Sequence, residues 1–223
     1  MNRVTQVQDR IPVRRVLISV SEKGGLGPLV EALIAIEGLL IYSTGGTYRR
    51  IAEILGDRAA GRLLQVSDYT GQPEMQGGLV KTLDYKIYLG LLSEPFNDAH
   101  ARDRDRTGAE LIDMVVANLY PFASVTAHGD ADAENARGNI DIGGPTMVRA
   151  SAKSFLRVAS VCDPADYPGI IDELAANAGT LGLATRFALA KKAFEHTARY
   201  DQAISQYLER TGVDDMRRSY TVE

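Results

Sequence analysis

One cysteine in 223 residues, Cys162, excludes an internal disulfide, so the fold has to rest on buried surface. A chain of this length can bury a sizeable core without covalent staples. Cys162 follows the apolar run "VASV" and is expected to pack as a small hydrophobe. No run of about 18 apolar residues occurs, which predicts no membrane span. The first ten residues, "MNRVTQVQDR", lack the apolar stretch of a signal peptide. With the lone thiol, this predicts a cytoplasmic, reducing location. There is no surplus of positive charge: the net charge is -4 and the pI about 5.5. A nucleic-acid partner is not expected on that balance, although small basic patches could hold a phosphate. Histidine is scarce, and His100, His128 and His196 show no spacing with Cys or Asp that suits a metal, so none is expected. No nucleophile elbow, Cys–His pair, internal repeat or low-complexity segment is present.

What is present is alternation. Short apolar runs at 14–20, 39–43, 62–66, 86–92, 111–120 and 157–162 read as strands, those at 62–66 and 86–92 being the weakest. Helical patterns fall at 25–38, 47–55, 164–179 and 185–212. Continuous apolar strands between helices predict an α/β fold, a mostly parallel sheet covered on both faces in three layers. The predicted organisation is an N-terminal extension over 1–12, one domain over 13–209 and a charged tail over 210–223. Ligands in such sheets bind beyond the carboxyl ends of the strands, so the loops there carry the functional question.

Four of those loops stand out. "STGGT" (43–47) follows a strand and opens a helix, where free N–H groups and the helix dipole favour an anion. Ser43, Thr44 and Thr47 add hydroxyls, with Gly45 and Gly46 allowing close approach; a plain capped turn is the competing reading. "SVSEKGG" (19–25) has the same placement, with Ser21 and Lys23, the latter a phosphate ligand or a solvated surface charge. "NLYPF" (118–122) ends the strongest strand; Asn118 and Tyr120 point to opposite faces if that strand continues. "NIDIGGPTMVRASAK" (139–153) sets Asp141 before Gly143, Gly144 and Pro145, with Pro145 suited to a first helical position. Lys153 lies eight residues past Pro145, about 12 Å along a helix, so direct contact with Asp141 is strained. A further segment, "GQPEMQGGLVKTL" (71–83), packs Gly and Pro around Glu74 and holds Lys81 in otherwise apolar company. There it could polarise a carbonyl or simply snorkel to the surface.

Taken in order, "SVSEKGGL", "STGGT", "VSDYTGQPEM", "VKTL", "NLYPF", "NIDIGGPTMVRA", "CDPADY" and "AFEHTARYD" resemble the IMP cyclohydrolase domain, over roughly residues 13 to 205. That domain is the N-terminal half of the bifunctional AICAR transformylase/IMP cyclohydrolase of purine biosynthesis. The resemblance implies a methylglyoxal synthase-like fold. It implies closure of FAICAR to IMP with loss of water, with no cofactor, metal or folate. Lys81 would polarise the formyl oxygen, Asp141 would engage the carboxamide, and Lys153 and Tyr120 would complete the proton-transfer set. Thr44, Gly45, Gly46 and Thr47, with Ser21 and Lys23, would hold the 5′-phosphate. Thr82, Asn118 and the backbone of Ile142, Gly143 and Gly144 would line the rest.

The chain departs from that family in three places beside Lys81. Leu79 stands where the family has Arg, Asp84-Tyr85 where it has His-Pro, and Tyr88-Leu89 where it has another His and a Gly. Lys86, Arg49 and Arg149 are the basic residues nearest the motifs that could compensate. The transformylase half is absent from this sequence, which implies a separate AICAR transformylase as a partner. Oligomeric state is left open, a homo-oligomer included. Two other readings share the fold: a non-catalytic purine-nucleotide-binding or regulatory module, and a methylglyoxal synthase-like lyase.

Overall fold

The computed structural model describes residues 3–73, 75–76, 80–127 and 132–221. In chain order the strands are β1 (Arg10–Pro12), β2 (Arg15–Val20), β3 (Leu40–Ser43), β4 (Leu63–Gln65), β5 (Met114–Asn118), β6 (Ala159–Val161) and β7 (Thr180–Gly182). The helices are α1 (Leu26–Ile34), α2 (Gly45–Leu55), α3 (Val66–Thr70), α4 (Tyr85–Leu92), α5 (Asp98–Thr107), α6 (Phe122–Val125), α7 (Ala133–Gly138), α8 (Gly143–Lys153), α9 (Tyr167–Ala176), α10 (Leu183–Arg210) and α11 (Val213–Arg218). The main sheet has the order β4-β3-β2-β5-β6, every neighbouring pair parallel. Strand periodicity divides its residues. Val16, Ile18, Ile41, Met114 and Val116 face α1, α2 and α9 in one core. Leu17, Tyr42, Val115 and Ala117 face α4, α8 and α10 in the other. This is the three-layer α/β arrangement expected. Cys162 is buried as anticipated, and burial raises its pKa to about 11.

Several expectations are corrected. Residues 86–92 form helix α4, not a strand. A short apolar run fits either element, and the deciding signal is Asp84, whose Oδ1 accepts from the Lys86 N–H as an N-cap. His100 lies in helix α5, in a stretch where no helix was expected. The helix has no buried residue to betray it, but Asn97 caps it and Gly108 ends it in a left-handed conformation. Helix α8 starts at Gly143, so Pro145 is its third residue rather than its first. The strand expected over 111–120 is confined to Met114–Asn118. In the C-terminal segment, α11 packs on α7, with Tyr220 Oη donating to Glu134. In the N-terminal segment, β1 pairs antiparallel with β7. Glu74, Leu79 and His128 lie outside the described residues. Among the described residues no helix is long and apolar enough to cross a membrane, and no cluster of His, Cys, Asp or Glu could hold a metal.

Two buried guanidiniums join the layers. Arg157 donates to the carbonyls of Gly90 and Leu91 at the end of α4, to Ser93 and Ile112, and to Asp113 Oδ1. It thereby satisfies helix-end carbonyls that have no intrahelical partner. Asp113 Oδ2 in turn accepts from the Arg14 and Arg15 amides at the start of β2. Arg186, 1% exposed, spends all five donors on the carbonyls of Gln8, Asp9, Phe155, Leu156 and Leu181. Replacing Arg186 by Leu strands five main-chain acceptors, that of Leu181 buried and the others partly so, each costing about 1–3 kcal/mol where it cannot rewet. The expected loss is at least about 3 kcal/mol in urea unfolding. A loss under about 1 kcal/mol would show that these carbonyls find water instead.

Candidate active site

Strand β2 lies between β3 and β5, the point where the chain's path across the sheet reverses, and a crevice opens there beyond the carboxyl ends. It holds a cleft of about 580 Å³. Loops after three parallel strands supply Ser19–Lys23, Thr44–Thr47 and Asn118–Tyr120, while residues 80–83 and 138–144 close the other sides. Volume and position suit a small polar ligand.

One end is built to receive an anion. Thr44 precedes α2 without a side-chain cap, so the N–H groups of Gly45 and Gly46 have no intrahelical acceptor. Gly45 has φ +45°, and a Cβ there would stand 3.3 Å from Lys81 Nζ. Thr44 Oγ1 hydrogen-bonds Ser19 Oγ at 2.8 Å. Two of the expected hydroxyls are unavailable. Thr47 Oγ1 donates to the Val20 carbonyl and accepts from its N–H, and Ser43 Oγ donates to Ile18 O inside the sheet. The first stitches α2 to β2 and the second β3 to β2, rather than facing a ligand. Asn118 is likewise occupied: its Oδ1 accepts from the amides of Ser21 and Glu22, and its Nδ2 donates to Glu22 O. It clasps the Ser21–Lys23 loop, where Lys23 Nζ also donates to Ser21 O. Of the three candidate compensating cations, Arg49 reaches 3.9 Å from a Cβ position on Gly46. Lys86 lies over Tyr69 and Arg149 over Phe194.

The other end carries the carboxylate. Asp141 Oδ1 accepts from the Gly144 N–H at 2.9 Å. Its pKa is raised by burial, an effect opposed by hydrogen bonds from the Gly144 and Tyr120 amides. Its own N–H donates to Tyr200 Oη at 2.7 Å, from a helix whose tyrosine sequence reasoning had not placed in the site. A Cβ on Gly144 would collide with Asp141 Oδ2 and come within 2.8 Å of Leu119 Cδ2. Tyr120 (50% exposed) and Ile142 (63% exposed) stand at the mouth. Because β5 ends at Asn118, alternation stops there, and Asn118 and Tyr120 line the same cleft. Thr82 Oγ1 lies 2.9 Å from a Cβ position on Gly143, and so the 80–83 segment spans from the α2 end to the α8 end. Beside Lys81, Val80 has φ +54°, a strained conformation for a β-branched residue.

Lys153 is not brought in. It ends α8, ten residues from Gly143 and so about 15 Å along the axis. There it lines a separate depression with Val4, Leu92 and Arg157. The "CDPADY" motif is structural here: Asp163 and Asp166 both hold Lys192 of α10, at 2.7 and 2.9 Å.

Residues 25–146, more than half the chain, match the family model described as MGS-like domain. The chain belongs to that family. Residues 151–223 match a second model, AICARFT/IMPCHase bienzyme, an enzyme of purine biosynthesis. Together the two support the cyclohydrolase-type resemblance. A solved structure titled "Crystal structure of ForH" is 31% identical, with a TM-score of 0.73 over 87% of this chain and 98% of that one. The MGS-like part contributes the α2 end, residues 80–83 and the Asp141 loop, whereas Tyr200 belongs to the bienzyme part.

The glycine contacts make a paired test. Gly144→Ala overpacks the carboxylate against Leu119 and is expected to lower stability by about 1–3 kcal/mol. Gly27→Ala in α1, where a Cβ meets nothing within 4 Å, is expected to be neutral or mildly stabilising. Chemical denaturation of both variants reads the difference; equal effects would refute the close approach at Gly144.

Proposed function

We propose that this chain closes the purine ring of FAICAR to give IMP. The observation that supports this reading is the pairing, across one cleft, of an anion-binding helix end beside Lys81 with a half-buried carboxylate, Asp141, at the opposite wall. The 5′-phosphate sits on the N–H groups of Gly45 and Gly46, flanked by Thr44, Ser21 and Lys23. The base then lies toward Gly143 and Gly144. The carboxamide nitrogen attacks the formyl carbon and forms the new C–N bond. Asp141 accepts a proton from that nitrogen, and Lys81 stabilises the oxyanion. The formyl oxygen leaves as water with two hydrogens, one from the carboxamide nitrogen and one from the formamide nitrogen, as the C=N bond of the ring forms. Tyr120 stands beside this path as proton carrier, and Asn118 acts through the loop it clasps. Lys153 takes no step in this scheme.

A second reading, a non-catalytic purine-nucleotide module, is favoured by the distance of Lys153 from the cleft. Incubation with FAICAR, followed by ultraviolet absorbance, separates the two: the ring-closure reading expects IMP to accumulate. A flat trace from folded protein that still binds IMP in calorimetry, and prefers it to inosine, would select the module.

Lys81 lies against Gly45, a place that also suits a phosphate contact, so its role is read from kinetics. If it stabilises the oxyanion, Lys81→Ala lowers kcat by about 100-fold or more. A rise in KM with kcat unchanged would make it a binding residue.

Asp141 must be ionised to accept the proton. Burial raises its pKa, so kcat should fall with decreasing pH along an acid limb above the ordinary aspartate range. The same shift has a sign for stability. A carboxyl whose folded pKa is raised favours the fold while protonated and disfavours it as pH rises through that value. Asp141→Asn keeps an acceptor for Gly144 and is expected to melt at or above the parent temperature at pH 7 while losing turnover. A clearly lower melting point would contradict the assigned burial cost.

A further inference from the structure

Tyr200, on α10, reaches the Asp141 loop through its hydroxyl and Phe122 of α6 through its ring. Its hydroxyl accepts from the Asp141 N–H at 2.7 Å and donates to the Asn139 carbonyl at 3.1 Å, so both its donor and an acceptor pair are spent on the segment that carries the carboxylate. Its ring meets Phe122 edge-on at 6.3 Å. Phe122 in turn meets Tyr207 at 5.7 Å, and its N–H donates to the Tyr120 carbonyl. Tyr200 is 9% exposed and sits in the 28-residue helix α10. Helix α10 also packs on α8, whose first turn binds the Asp141 carboxylate. The backbone of Asp141 is thus held from α10 and its carboxylate from α8, and Phe122, whose ring meets Tyr200, holds the Tyr120 carbonyl through its own N–H.

We infer that Tyr200 is a positioning residue for the ring closure, setting through its hydroxyl where the Asp141 carboxylate stands relative to Tyr120 and the substrate amide. This rests on the function proposed above. A tyrosine serving only the core would need no hydroxyl, since Phe122 and Tyr207 supply the aromatic packing. Here the hydroxyl is the sole bridge from α10 to Asn139 and Asp141 among the described hydrogen bonds.

Tyr200→Phe keeps the ring and removes the bridge. The expected result is a fall in kcat of about tenfold or more, because small displacements of a reacting group are costly. The KM for FAICAR should stay within about threefold, since the phosphate end is untouched. In an Asp141→Asn background the same change should cost nothing further, because the two residues act as one unit. Tyr207→Phe, which changes a hydroxyl in the same aromatic cluster away from the loop, should leave kcat unaltered. Hydrogen exchange reads the contact independently of turnover: the Asp141 amide is expected to be protected in the parent and to exchange at least about tenfold faster in Tyr200→Phe. An unchanged kcat in folded Tyr200→Phe, or multiplicative losses in the double variant, overturns the inference. A parent chain that makes no IMP removes the proposed function and with it the catalytic role of Tyr200, while the contact itself still stands or falls with exchange of the Asp141 amide. Rapid exchange of the Asp141 amide in the parent removes the positioning contact, whatever the activity.

Discussion

Everything in the cleft hangs from the register of β2 against its two parallel neighbours. Val20 stands opposite Asn118 on β5, and Ile18 opposite Ser43 on β3. Three loops therefore leave the sheet at one level. The side-chain bonds Ser43 to Ile18, Thr47 to Val20 and Asn118 to Ser21 and Glu22 all presuppose that alignment. A slip of one residue would send Leu17 to the wrong core and pull Asn118 off the loop it clasps. Backbone pairing on the strands and polar clasps just beyond them thus act on the same few residues, with the hydrophobic split between the two faces enforcing both.

The site is also where the chain accepts local cost. Asp141 is a half-buried carboxylate whose pKa burial raises. Val80 is held at positive φ next to Lys81, and Gly144 leaves no room for a methyl group beside Leu119. None of these helps the fold by itself. Elsewhere the chain is well satisfied, as at the capped ends of α4 and α5 and around the fully bonded Arg157. Local cost gathered at a cleft is the pattern expected of a functional site; Ala178, at φ +50° just before β7, is a strained position outside it.

Much of this was legible beforehand, and the reasons differ by residue. The parallel sheet followed from runs such as "LIDMVVANLY", buried on both faces and so apolar without alternation. The anion end followed from glycines between a strand and a helix. What stayed hidden was long-range or context-bound. Thr47 looks like a ligand hydroxyl until β2 is seen to pass beside it. Lys153, given a role by the resemblance, stands at the far end of a helix that begins at Gly143, about 15 Å along its axis. Asp84 reads as a lost histidine, yet it is the cap that makes 85–92 helical. Tyr200 could not be tied to Asp141 by spacing at all, since 59 residues separate them.

The buried Arg186 has a consequence for how the protein responds to its solvent. Its guanidinium ends on five main-chain oxygens drawn from residues 8–9, 155–156 and 181. Those acceptors do not titrate, and mobile ions screen a buried contact far less than an exposed pair. The joint between the first strand pair and the layer of α8 and α10 is therefore indifferent to ionic strength and to acid. The surface pairs, such as Arg58 with Glu31, loosen in brine. High salt would then soften the helical shell first and leave the seam between the two sheets closed.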